Sequence, residues 1–260
     1  MDLYPQTISI TVLKNIILKF IAVLLALFAW QAAVDYVDLE ILFPSPIDVF
    51  KRLLTLHKEE TFVSTVTFTF GKIFSGFIRA YILGVVMGII AGRWRVAEAL
   101  FWPYSVTVKS VPVACFIIIA LLWVDTENLA YLISFLMVLP IVYTNVLQGY
   151  KSIDKKKTEV ADVFRLPFHK RLIYIYLPTL KPFLISACSV SFGLAWKSGV
   201  AAEFIGQPEN SIGEVLYYAK MYIEPVDLFA WTFVLVIISV CFEKLMVGLL
   251  KLGFKGVEKL

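Results

Sequence analysis

Charge is scarce in this sequence: 17% of its 260 residues are Asp, Glu, Lys or Arg and 60% are hydrophobic. A soluble domain carries about 25% charged and about 45–50% apolar residues. Mean hydropathy is +0.82, more apolar surface than one soluble core can use, so the composition excludes the soluble classes and points to the bilayer. Histidine occurs twice, His57 and His169, and cysteine three times, Cys115, Cys188 and Cys241. No cysteine is spaced to pair with another or with a histidine, which argues against a disulfide frame and a metal site. Buried, inert thiols are expected, with no metal and no other cofactor. The phosphate-binding loop G-x-x-x-x-G-K-[ST] is missing; Gly71-Lys72 lacks the leading glycine and falls in an apolar run. Neither a nucleophile elbow nor a zinc motif occurs, so no catalytic residue is expected and the chain reads as a non-enzyme.

What is abundant is long hydrophobic runs. A membrane helix needs about 20 apolar residues, and six segments qualify: roughly 16–34, 66–91, 102–124, 129–147, 182–204 and 228–250. The first could pass for a signal peptide, but with Lys19 snorkelling to the interface it is long enough to span and reads as an uncleaved helix. Expected domains are an N-terminal membrane helix (1–40), an external linker with a short amphipathic helix (41–60), a membrane core (61–252) and a tail (253–260). Phe43-Pro44-Ser45-Pro46 breaks the chain before the amphipathic stretch 47–56, and Asp125–Asn128 reads as a tight hairpin. With the N-terminus inside, sixteen of the 24 Lys and Arg fall on the cytoplasmic side, four outside and four within spans. That bias sets orientation: multi-pass in the cytoplasmic membrane, contacting lipid, with both termini cytoplasmic. Cations sorted by loop give no sign of a nucleic-acid partner.

Gly84, Gly88 and Gly92 form two overlapping GxxxG steps, which let helix backbones approach closely in lipid. Charges inside spans need a reason, since a central Lys or Arg costs about 2.5–3.5 kcal/mol on insertion scales. Lys72, Gly76 and Arg79 share one helical face. Lys109, Lys197 with its neighbour Trp196, and Glu203 complete the candidates for a translocation path. Three readings stand for them: a lining for an anionic solute, charge pairing between helices, or snorkelling to an interface.

Residues 148–181 form the longest polar interval in the second half of the chain, on the cytoplasmic side. Within it, Val160, Val163 and Phe164 fall on one helical face, while Glu159 and Asp162 lie near the expected helix start, where the dipole favours carboxylates. Such a helix can seat in a partner's groove or rest on the lipid surface. Glu159-Val160-Ala161, then Phe164-Arg165, then nine residues and Ile175-Tyr176-Leu177-Pro178, resembles the signature of binding-protein-dependent ABC importer permeases. Further resemblance to the nitrate, sulfonate and taurine branch lies in Phe43–Pro46, Lys72 with Gly76-Phe77 and Gly84, Lys109 with Pro112 and Trp123, Ala195-Trp196, Ala202-Glu203, Ile212-Gly213 and Asp227. Val124–Glu127 departs from the branch's glycines. Arg165 stands where the family has glycine; glycine reaches positive φ cheaply and arginine does not, so the turn after Phe164 is expected to differ, with Pro167 supplying the break.

The resemblance implies an all-α, polytopic type I importer permease of about six spans, working by alternating access as a dimer with a second permease copy. It implies an ABC ATPase subunit dimer inside, where ATP is hydrolysed, and an extracytoplasmic solute-binding protein or lipoprotein outside. Glu159, Val160, Ala161, Val163, Phe164 and Arg165 would then form the coupling element. The solute would be a small anion such as a sulfonate, taurine or nitrate, or else a thiamine pyrimidine precursor. From other classes, an ion-coupled secondary transporter would want internal repeats and midplane helix breaks, and a lipid-acting enzyme would want paired polar groups near one interface.

Overall fold

The computed structural model describes residues 4–37, 39 and 42–257; the outermost residues of the expected N-terminal helix and tail lie outside the described residues. Among those described, every regular element is a helix: α1 (Tyr4–Val37), α2 (Pro46–Leu56), α3 (Phe62–Arg93), α4 (Arg95–Ser110), α5 (Val113–Ala120), α6 (Thr126–Lys151), α7 (Lys155–Val163), α8 (Phe168–Arg171), α9 (Leu177–Gly206), α10 (Ile212–Met221) and α11 (Pro225–Val257). Among the described residues five stretches are long and apolar enough to cross a bilayer unaided, within α1, α3, α6, α8 to α9, and α11.

The expected span 102–124 is corrected: it is not one continuous helix. α4 and α5 meet at a bend of 103°. Pro112 lacks an N–H and disfavours helical backbone in the residue before it, and Val111 is accordingly extended at φ −88°, ψ 134°. The expected 125–128 hairpin also moves: the turn occupies 121–124, and Thr126 to Asn128 open α6. Nor is 148–181 mostly loop. Leu172–Tyr176 widens into a π-turn, with the Leu177 N–H bonded to the Leu172 carbonyl, and leads into α9, so Leu177 and Pro178 of the signature start a helix.

The chain divides into two units, residues 1–59 with 218–233, and residues 60–217 with 234–260. In the first, Ser45 caps α2 by accepting from the Asp48 N–H at 3.2 Å, and Pro46 occupies the opening turn where its missing N–H is harmless. Arg52 donates to both oxygens of Asp227, at 2.5 and 2.8 Å, and to Glu59 at 2.6 Å. The Asp227 hydrogen bond chiefly raises the guanidinium pKa above its ordinary value. Trp30 stacks on Phe233 and tilts against Phe229.

The second unit holds the main core, made by α3, α6 and α9: Ile73, Phe77 and Ala80 meet Val138, Val142 and Val146 and then Leu184, Ala187, Phe192 and Ala195. The glycines of α3 lie on α6. A Cβ on Gly84 would stand 2.8 Å from the Val142 Cβ, and one on Gly88 2.6 Å from the Val146 Cβ, so glycine is what permits this crossing. Pro140, inside α6, cannot bond the Leu136 carbonyl four residues earlier. The Tyr104 hydroxyl of α4 donates to that carbonyl at 3.2 Å. Cys188 is buried, but Cys115 and Cys241 are exposed, which corrects the expectation of three buried thiols; in a membrane chain an apolar surface position has lipid to face.

Candidate functional sites: the 155–171 segment and a cationic cavity

α7 is built to hold a short apolar face outward. Its start is capped by Asp154, whose side chain accepts from the Lys156 N–H at 2.9 Å. Its end closes through two backbone bonds, Leu166 N–H to the Ala161 carbonyl at 2.9 Å and Arg165 N–H to the Asp162 carbonyl at 3.0 Å. This is the Schellman pattern, which places the residue after the cap in the left-handed region. Arg165 takes that place with φ 47°. The turn therefore keeps the shape a glycine would give it, contrary to the expectation, and arginine bears the cost, roughly 1–2 kcal/mol for a residue with a Cβ.

Val160, Val163 and Phe164 are 54%, 79% and 72% exposed, while Ala161 is 1% exposed. Ala161 thus seats the helix on the protein and the other three face away; Glu159 is exposed beside them. Asp162 lies in the last turn of α7, not near its start, where the dipole disfavours a carboxylate. Arg171 answers it from α8. Its guanidinium donates to Asp162 at 2.5 Å, to the Leu166 carbonyl at 2.8 Å and to the Ala161 carbonyl at 3.2 Å. Sequence reasoning missed Arg171 because its partners lie five to ten residues back, across a turn whose shape only the fold reveals.

The intramembrane charges separate into three kinds. Lys72 and Arg79, on α3, border a cavity of about 400 Å³ with Ser75, Val124, Asn128, Tyr131 and Leu132. Lys72 Nζ donates to Asn128 Oδ1 at 3.0 Å and lies 5.4 Å from the Phe68 ring centre. Arg79 Nη1 donates to the Tyr131 hydroxyl at 3.0 Å, its guanidinium 5.2 Å from that ring's centre. Among the described residues neither forms an ion pair with a carboxylate. Asn128 and Tyr131 were not among the sequence candidates; their i, i+3 spacing at the head of α6 is the signal that could have found them.

Glu203 is of the second kind. It is fully buried, and its Oε2 accepts from the Thr69 hydroxyl at 2.8 Å and the Gly213 N–H at 3.3 Å. Thr69 in turn accepts from the Ile212 N–H at 2.9 Å. Glu203 and Thr69 thus satisfy the Gly213 and Ile212 N–H groups that open α10, which no intrahelical carbonyl can reach. It neither snorkels nor pairs with Lys197, which is exposed. Trp196, its expected companion, is a core residue packed between Phe70 and Phe192. Lys109 is the third kind: at the end of α4, it donates to Thr144 of α6 at 3.1 Å, beside the α4–α5 bend. Sequence reasoning also passed over Glu243 of α11, which accepts from the Ser189 hydroxyl.

Comparison with known proteins gives the family. Residues 80–251 match the family of binding-protein-dependent transport system inner membrane components. An ABC transporter permease protein of Brucella melitensis is 23% identical over 79% of this chain and 84% of its own length. An aliphatic sulfonates transport permease of Bacillus subtilis is 26% identical over 63% of this chain and 59% of its own. A bicarbonate transport system permease of Synechococcus elongatus is 24% identical over 60% and 58%. In such systems the permease spans the membrane while the ATPase and the solute-binding protein are separate chains, and this chain belongs to that family of inner-membrane permease components.

Proposed function

We propose that this chain is the permease half of an importer for a small anion, paired with a second copy of itself, and that α7 is the element by which ATP hydrolysis moves the spans. One observation carries the coupling role: Val160, Val163 and Phe164 stand out of the chain's own fold on a helix pinned at both ends. Burying a side chain of this size against a partner is worth about 1.5–3 kcal/mol, and three such side chains share this face. Glu159 adds a charge at the rim. Both termini are then cytoplasmic and the head of α6 is external. Alternating access needs an element with two arrangements that both sites can bias; the π-turn between α8 and α9, with Pro178 and Pro182 in the first turns of α9, supplies a place for the backbone to change. The relatives named for sulfonates and bicarbonate, with the unpaired Lys72 and Arg79, support an anionic solute over a neutral heterocycle.

The test is uptake by proteoliposomes holding this chain, its ATPase subunit and the solute-binding protein from the neighbouring reading frame, supplied with taurine, methanesulfonate, nitrate or bicarbonate. ATP-dependent uptake of one of these, abolished by Phe164→Asp at unchanged membrane abundance, is the expected result. Uptake driven by an ion gradient without the ATPase would overturn the reading in favour of a secondary transporter.

A further inference from the structure

Arg79 lies seventeen residues from the start of α3 and fourteen from its end, about 25 and 21 Å along the axis, and it is exposed on the chain's surface. Insertion scales make a lone cation at such depth unfavourable, so this face does not meet lipid; it meets water, solute or another chain. Lys72 stands on the same face seven residues earlier, about 10 Å towards the α3 start.

The partners of these two cations decide what they await. Ammonium and guanidinium groups have donors only. Asn128 must therefore present its oxygen to Lys72, leaving both of its N–H donors, and Tyr131 must accept from Arg79, leaving its O–H. Ser75, also at the cavity, spends its hydroxyl on the Lys72 carbonyl at 2.9 Å. Two full positive charges and the remaining donors of Asn128 and Tyr131 thus share one cavity. Neutral groups hold the cations in place without cancelling them.

Resting on the reading of this chain as an anion importer, we infer that the cavity is an anion site on the transport path, with Lys72–Asn128 and Arg79–Tyr131 as successive stations for a small monovalent oxyanion. The flat guanidinium beside a phenolic O–H suits the oxygens of a sulfonate, carboxylate or nitrate. One cation per station matches one negative charge; a dianion would be half neutralised. About 400 Å³ is near the small end of ligand pockets, about 300–1,000 Å³, and the two cations rise from backbone positions about 10 Å apart along α3, each held by a different residue of α6. Two moderate stations also let the solute leave, which one deep site would not.

Ser75→Cys, in a chain with the three native cysteines replaced and assembled with its ATPase in membranes, places a thiol in the cavity. The probes are a sulfonate-bearing and a trimethylammonium-bearing methanethiosulfonate. The anionic reagent is expected to react at least tenfold faster relative to each reagent's rate with a free thiol, and methanesulfonate should slow it. Arg79→Gln should bring the ratio towards one, and Arg79→Lys should preserve it. Tyr131→Phe, which keeps the ring, should weaken methanesulfonate protection about tenfold, the worth of a hydrogen bond to a charged group. Equal rates for the two reagents, a ratio unmoved by Arg79→Gln, or no labelling by either would overturn the inference, the last meaning that a second chain covers the face. If Arg79→Gln does not assemble, Arg79→Lys and Tyr131→Phe decide alone. ATPase copurification in the same membranes reads the importer assignment separately, so a cavity without selectivity beside a bound ATPase removes the site and leaves the importer standing.

Discussion

Replacing Arg171 by glutamine should loosen the end of α7 without unfolding the membrane core. The side chain makes three bonds, and they are not equal. The Asp162 carboxylate is 66% exposed, so that ion pair is worth about 0–1 kcal/mol. The Leu166 carbonyl loses a charged donor at 2.8 Å, about 1.5 kcal/mol. The Ala161 carbonyl already accepts from the Leu166 N–H, so losing a second, longer bond adds little. Together this is about 2 kcal/mol, or roughly 30-fold in a local opening equilibrium. Hydrogen exchange in detergent or nanodiscs reads it directly: the amides of Arg165 and Leu166, which close the turn, should exchange about 10- to 30-fold faster, while α9 beyond Pro182 is unchanged. Arg171→Lys should recover the ion pair at most, because a single ammonium cannot reproduce the guanidinium fork. Unchanged exchange at 165–166 in Arg171→Gln, or full recovery in Arg171→Lys, would refute the reasoning.

Other expectations follow from the same geometry. Arg165→Gly removes the left-handed strain and should stabilise the α7 turn by about 1 kcal/mol, seen as slower exchange at Leu166 with uptake retained. Gly88→Ala forces a methyl against Val146 and should destabilise the α3–α6 crossing by about 1–3 kcal/mol, lowering the Tm of the purified protein by several degrees. Glu159→Lys should leave expression and Tm alone, since the side chain is exposed, yet reduce ATP-driven uptake strongly; unchanged uptake counts against its place at the docking rim.

The bundle was legible because bilayer thickness imposes one length on every span and glycine spacing marks a close crossing; Gly84 and Gly88 meet α6 as their spacing implies. The α4–α5 break was less so. Val111-Pro112 carries the signal, but the apolar run continues through it, and hydropathy does not register a bend. Arg165 misled because composition suggests what a residue prefers, whereas the bonds closing α7 impose what it adopts. Among the membrane charges, periodicity placed Lys72 and Arg79 on one face but could not supply Asn128 and Tyr131, which come from a helix more than fifty residues on. Trp196 and Glu203 looked like path residues because they sit beside or among charges. Only packing shows that one fills the core and the other caps α10.

A single cysteine at Val163, in a chain with Cys115, Cys188 and Cys241 replaced, tests the central proposal most directly. In membranes that also hold the ATPase subunit, a short thiol-to-amine crosslinker should join residue 163 to the ATPase chain, with a yield that changes when ATP is added. A cysteine at Ser152, outside α7, serves as the control and should join weakly. No crosslink at 163 in membranes where uptake is ATP-driven would contradict the docking role of α7.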